Sequence, residues 1–281
     1  MPRRFASRPR RSRKRRFRLP RFWPNAGQRK RWWRRYRRAP LSMQVVAGVA
    51  AAIALWLAAN GIYQVVRKPT ELFFPVSGVL YKSPRETWRE YGPIFRRHST
   101  GTISPEFLAA LAQVEGSGNP IVRTYWRWSW SAKPFEVYRP ASSAVGMYQI
   151  TDGTFDEARR LCIHDHRVVA DGAWNDWHSC WFNWTYMRVI PSHAVEMTAA
   201  YLDSRVAMAL QRAGIRNATR SQKENLAAVI HLCGAGAGAI YAAHGLRAAP
   251  GQRCGDHTVS VYINRVNGLK RIFGGYADRE G

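Results

Sequence analysis

Residues 39–66 carry no charged side chain across 28 positions. The centre of this run, residues 43–57, is mostly Ala, Val, Ile and Leu, and the polar Gln44, Asn60 and Gln64 stand near the ends of the run. A helix rises about 1.5 Å per residue, so about 20 residues cross a bilayer core of roughly 30 Å. A buried core helix of this length would show polar positions at helical spacing, and this run does not. The pattern predicts a membrane-spanning helix over 39–66. A cleavable signal peptide fits less well, because the run is too long and Ala58-Ala59-Asn60-Gly61 makes a poor cleavage site.

Beyond residue 100 the apolar positions recur every three or four residues. Ser104-Pro105-Glu106 reads as a helix start, with Phe107, Leu108, Leu111 and Val114 behind it and Gly116 as its stop. Thr154-Phe155-Asp156-Glu157 reads as a capping box opening onto Ala158 and Leu161. Another helix begins near Ser192 and carries Val195, Ala199, Leu202, Val206 and Leu210 as far as Gly214. Ser221-Gln222-Lys223-Glu224 reads as a second capping box, leading into Leu226, Val229, Ile230 and Cys233. Val259, Tyr262, Val266, Leu269 and Phe273 mark a last helix. No sustained alternation and no internal repeat interrupts this series, so a mainly α domain is expected over 101–281. The intervening 67–100, with Pro69, Pro75, Pro84 and Pro93, reads as a stalk.

Charge adds an orientation. Of 44 Lys and Arg, 18 fall in residues 1–38, and the first acid in the chain is Glu71. Beyond residue 38 there remain 26 basic against 18 acidic residues, so the net +26 is mostly a property of the tail. Like charges repel and little apolar surface is available, so residues 1–38 are expected to be disordered. Basic residues beside a span stay on the cytoplasmic side. The amino terminus is therefore expected in the cytoplasm and the domain in the periplasm of a bacterial inner membrane. Each basic residue near an anionic bilayer contributes about 1 kcal/mol, and Phe22, Trp23, Trp32, Trp33 and Tyr36 suit its interface, so anionic lipid is the expected partner of the tail. Nucleic acid is the weaker fit. Ala47 with Ala51, and Ala50 with Ala54 and Ala58, permit close helix pairing without specifying an oligomer.

Four cysteines on the exported side favour disulfides. The sequence-local pairing is Cys162–Cys180 with Cys233–Cys254. A zinc site from Cys162, His164 or His166, His178 and Cys180 is the rival, and its spacing matches no common finger.

Candidate chemistry begins with Glu115, which shares a helix face with Leu108 and Leu111. A carboxyl drawn toward an apolar interior keeps its proton more readily, which suits a proton donor. Glu136, in a Pro-flanked loop, is a weaker second acid. Glu115-Gly116-Ser117-Gly118-Asn119-Pro120 is followed by Ser143-Ala144-Val145-Gly146-Met147-Tyr148-Gln149-Ile150-Thr151, and later by His231-Leu232-Cys233-Gly234-Ala235-Gly236. Over roughly residues 102–273 this resembles the soluble lytic transglycosylase (SLT) domain family, relatives of goose-type lysozyme.

The resemblance implies a lysozyme-like α-rich fold that cuts the β-1,4 link between N-acetylmuramic acid and N-acetylglucosamine in peptidoglycan. It implies Glu115 as the single catalytic acid and then base, closing an anhydro ring with the muramoyl C6 hydroxyl, and no cofactor or metal. Three departures from the family stand out. Gly116 replaces a Ser, Met147-Tyr148 replaces Leu-Met, and Leu232 and Cys233 replace a Tyr and an Asn. The family Tyr helps orient the acid, and Tyr241 or Tyr186 is a candidate to replace it.

Substrate contacts are expected at Ser143, Gly146, Met147, Tyr148 and Gln149. Gly146 allows close backbone approach or a positive φ. Gln149 can bond a sugar or cap a buried backbone group. Trp128 and Trp130, in an aromatic-rich insert, can stack on sugar faces or pack in the core. The expectation is a tethered peptidoglycan-cleaving enzyme serving wall remodelling or an envelope-spanning machine. A muramidase that uses water, a binding scaffold without turnover and a nucleic-acid binder are the alternatives.

Overall fold

The computed structural model describes residues 26–73, 77–173, 175–176 and 179–280. It divides the chain into two units, residues 1–59 and 60–281. Within the first, α1 (Ala26–Arg38) is helical where the charge pattern led us to expect disorder. Arg and Lys are themselves strong helix formers. The Trp33 and Tyr36 rings stack at 5.7 Å, and the Arg37 guanidinium lies 5.3 Å from the Trp33 ring, so the aromatics hold the turn together. The expectation for residues 1–25 lies outside the described residues.

α2 (Leu41–Arg67) follows the uncharged run. Among the described residues, two helices are long and apolar enough to cross a membrane, α2 and Arg220–Ala243, with 6% and 44% of their most apolar stretch buried. The second supplies core residues such as Leu226, Val229 and Ile230.

The second unit is mainly helical, as expected. Its stalk is the first correction. Residues 84–97 form α3 (Pro84–Arg97), opened by a capping box in which Ser83 and Glu86 satisfy each other's backbone N–H groups. Trp88, Tyr91 and Phe95 then fall on one helical face and are buried in the main core. Prolines made this segment read as a linker, yet Pro84 stands at the first helical position, where its missing N–H costs nothing. Residues 68–73 are also fastened down. Glu71 is buried and accepts from Arg123 at 2.7 Å and from the Trp126 indole at 2.9 Å. Lys68 donates to the Ser142 and Ala144 carbonyls.

α4 (Pro105–Gly116) starts where expected, its Ser104 hydroxyl accepting from the Phe107 N–H. It packs against α3 and the last helix, α8 (Val259–Ala277), while α6 (Pro191–Arg212) packs against α7 (Arg220–Ala243). Two caps differ from expectation. α5 (Asp152–Ala158) is capped by Thr151 rather than opened at Thr154. α7 is opened by Thr219 with Gln222, because Glu224 is buried and instead binds the Ser104 N–H and Lys270.

Among the described residues three antiparallel hairpins also appear, where no alternating run marked a strand: β1 (Trp126–Trp128) with β2 (Tyr138–Pro140), β3 (Leu161–His164) with β4 (Arg167–Ala170), and β5 (Arg253–Cys254) with β6 (His257–Thr258). Strands of two to four residues are too short to show a period of two. The disulfides are Cys162–Cys180 and Cys233–Cys254, each with Cα atoms 5.5 Å apart.

Candidate active site

Glu115 is the penultimate residue of α4, and its side chain is 19% exposed, so it sits in a wall rather than in the core. The end of that helix is pinned from outside. Lys82 N–H donates to the Ser117 carbonyl at 2.8 Å, and the Gln113 amide donates back to the Lys82 carbonyl at 3.0 Å. Asn119, fully buried, donates to the Ser77 carbonyl. The acid is thereby fixed by residues from the segment first read as a stalk.

Gly116 is explained by packing. A Cβ there would lie 2.9 Å from the Met147 Cα and 3.0 Å from its carbonyl oxygen. The helix end and the Met147 backbone meet too closely for a side chain at this position without a shift.

Among the described residues, two polar side chains meet the Glu115 carboxyl. The Tyr262 hydroxyl on α8 donates to Oε1 at 2.5 Å, and His231 Nε2 on α7 lies 3.8 Å from the same oxygen. Burial, and after it the Glu115 charge, push the Tyr262 hydroxyl well above the ordinary tyrosine range. It is therefore a permanent donor at working pH. Both of these contacts fall on Oε1.

The tyrosine at the Glu115 carboxyl is Tyr262, and neither Tyr241 nor Tyr186. Tyr241 is buried in the core, and the Tyr186 hydroxyl is bonded to Glu196. Sequence reading placed Tyr262 among the apolar positions of the last helix. Its pairing with an acid 147 residues away leaves no periodic trace. A hydrogen bond to a charged group contributes about 1.5–3 kcal/mol, and about 1.4 kcal/mol is tenfold in rate. If Glu115 is the proton carrier, Tyr262→Phe is expected to lower kcat by roughly tenfold or more with KM little changed. Steady-state kinetics on soluble glycan fragments would check this.

Beside His231 lies a cavity of about 200 Å³, lined among others by Gln149, Thr151, Thr198, Tyr201, His231 and Gly234. Glu115 is not part of that wall, and His231 is the residue shared by the carboxyl's surroundings and the cavity. Thr198 is buried, and among the described residues its hydroxyl has no hydrogen-bond partner. Gly234 carries φ +84° and ψ 168° inside α7, breaking the helix three residues after His231. A side chain rarely tolerates that conformation. The Cys233–Cys254 bridge fastens the break to β5.

The expected substrate contacts divide. Gln149 lines the cavity, and its amide also donates to the Gly146 and Val122 carbonyls, so it caps backbone as well. Gly146 has φ +79°, and a Cβ would run into the Arg188 carbonyl oxygen, so its close approach is to this chain's own backbone and not to a sugar. Met147 and Tyr148 are corrections. Both are fully buried, and Tyr148 donates its hydroxyl to the Leu108 carbonyl, so they are core residues that no glycan can touch. Ser143 accepts from the Asp152 N–H at the start of α5 and does not line the cavity. Trp128 and Trp130 are exposed on the β1–β2 hairpin and do not line it either. Glu136 is engaged by Arg67, Lys133 and Arg139. Among the described residues no cluster of His, Cys, Asp and Glu could hold a metal ion.

No family model, no curated protein and no solved structure matches this chain.

Proposed function

We propose that this chain is a membrane-anchored peptidoglycan lytic transglycosylase with a lysozyme-like domain. One observation carries the reading: the only carboxyl in the motif resembling the SLT family ends a helix, keeps one oxygen clasped by a permanent donor, and stands next to a histidine that walls a cavity. The protonated Glu115 gives its proton to the glycosidic oxygen as the C1–O4 bond breaks. The carboxylate then takes the proton of the muramoyl C6 hydroxyl as the C1–O6 bond forms, so no water is consumed and the acid is regenerated. Tyr262 holds the carboxyl through both steps. Gln149 and His231 supply polar contacts for the sugar.

The apolar run of α2, following a basic amino-terminal segment, supports a single span with the amino terminus in the cytoplasm and the catalytic domain in the periplasm. The two disulfides fit that oxidising compartment. Peptidoglycan strands are the proposed substrate and anionic lipid the partner of the tail. The test is digestion of purified sacculi followed by mass analysis. Products lighter by one water than the hydrolysis products are expected. Products of hydrolytic mass would make the enzyme a muramidase, and no product would make it a wall-binding scaffold; either result overturns the proposal.

A further inference from the structure

The β1–β2 hairpin is attached to the end of α2. Asn60, 1% exposed, donates its amide to the Tyr138 carbonyl at 2.8 Å, and Gln64 donates to the Phe135 carbonyl at 2.6 Å. The Tyr63 ring stacks on Phe135 at 5.3 Å, and Arg67 pairs with Glu136 at 3.5 Å. Counting about 20 residues from Leu41, the length that crosses a bilayer core, brings the helix to Asn60. The hairpin is thus fixed to the turns of α2 that follow that membrane-crossing length.

What the hairpin displays fits that place. Trp130 is fully exposed, Tyr125 is 72% exposed and Trp128 66%. Between and beside them stand Arg127, Lys133 and Arg139, with Glu136 the one acid in residues 125–140. Large aromatic rings with a polar edge, interleaved with cations, are the side chains that settle among lipid headgroups. Just after the span, Leu72 and Phe73 are exposed as well. A face that shows this much aromatic surface to water is poorly explained unless something covers it.

We infer that the Trp-rich hairpin is a second membrane contact, seated in the headgroup zone of the exported leaflet of an anionic bilayer. The inference rests on the proposed membrane span, and not on the catalytic reading. It gives Trp128 and Trp130 a lipid partner in place of the glycan expected from sequence. It also holds the domain to the membrane at two places, through the span and through the hairpin.

All four cysteines of the chain are in disulfides, so Trp130→Cys supplies a single thiol at a site where the exposed ring makes little packing contribution. The full-length variant, labelled with an environment-sensitive fluorophore, is placed in nanodiscs of phosphatidylcholine and phosphatidylglycerol with and without doxyl-labelled lipid. A parallel Val49→Cys variant reports on the span. Loss of fluorescence at both positions is the expected result. Quenching at position 49 with an unquenched label at position 130 overturns the hairpin contact and leaves the span standing. Two unquenched labels remove the span and the inference together. A label at position 130 that ignores the bilayer but responds to added soluble glycan fragments overturns the inference by assigning the hairpin to substrate.

Discussion

Glu115→Gln is expected to lower muropeptide release from purified sacculi by about 10²–10⁴-fold, the usual contribution of one positioned acid–base group. The effect comes from chemistry alone. Gln has nearly the volume of Glu, and its Oε1 still accepts from Tyr262, so the contact that clasps the side chain survives. The α4 end stays pinned through Lys82, Ser117 and Asn119, none of which touches the carboxyl. The circular dichroism spectrum and thermal midpoint should therefore match the wild type, while the proton that must reach the leaving oxygen is gone. A Gln variant with wild-type release would remove Glu115 from the reaction, and the proposed mechanism with it. Tyr262→Phe gives a graded companion, because it leaves the proton carrier in place and loosens its aim. The two variants should rank in that order.

The helix that carries the acid was legible residue by residue. Ser104 caps it, Pro105 opens it, its apolar face is continuous, and Gly116 ends it, because these signals are local and reinforce one another. The disulfide pairing was legible because nearest neighbours along the chain are easily brought together. The helix of Pro84–Arg97 was hidden by composition. Four prolines between residues 69 and 93 masked a capping box and the Trp88, Tyr91, Phe95 face. The rest of the site was illegible for a different reason. His231 and Tyr262 reach Glu115 only because α7 and α8 pack beside α4, and nothing in their spacing along the chain records that meeting. Met147 and Tyr148 show the reverse error. Their place in a family motif pointed to substrate, but the motif is held together partly by its own buried side chains. Gly116 and Gly146 belong to the same loop logic, since each lets backbone meet backbone where a side chain would stand.

The pair Cys233→Ala and Cys254→Ala is expected to lower stability by about 3 kcal/mol, the loop-closure value for cysteines 21 residues apart. For a domain of this size that corresponds to a fall in thermal midpoint of roughly 6–12 °C, read by calorimetry of the full chain in detergent. Removing Cys162 and Cys180, 18 residues apart, should cost nearly the same, because loop entropy depends only weakly on length. The two variants should separate in activity. Cys233 sits between His231 and the helix break at Gly234, and its bridge to Cys254 is what fastens that break to β5. Freed, the break can relax and carry His231 away from Glu115 and from the cavity wall. Cys162 ties the β3 hairpin to the short helix of Trp181–Thr185, which includes none of the residues that surround the acid. Below both midpoints, then, sacculus cleavage should fall in the Cys233/Cys254 variant and persist in the Cys162/Cys180 variant. Equal activity in the two folded variants would mean that the kink is merely structural, and that His231 is placed by the packing of α7 alone.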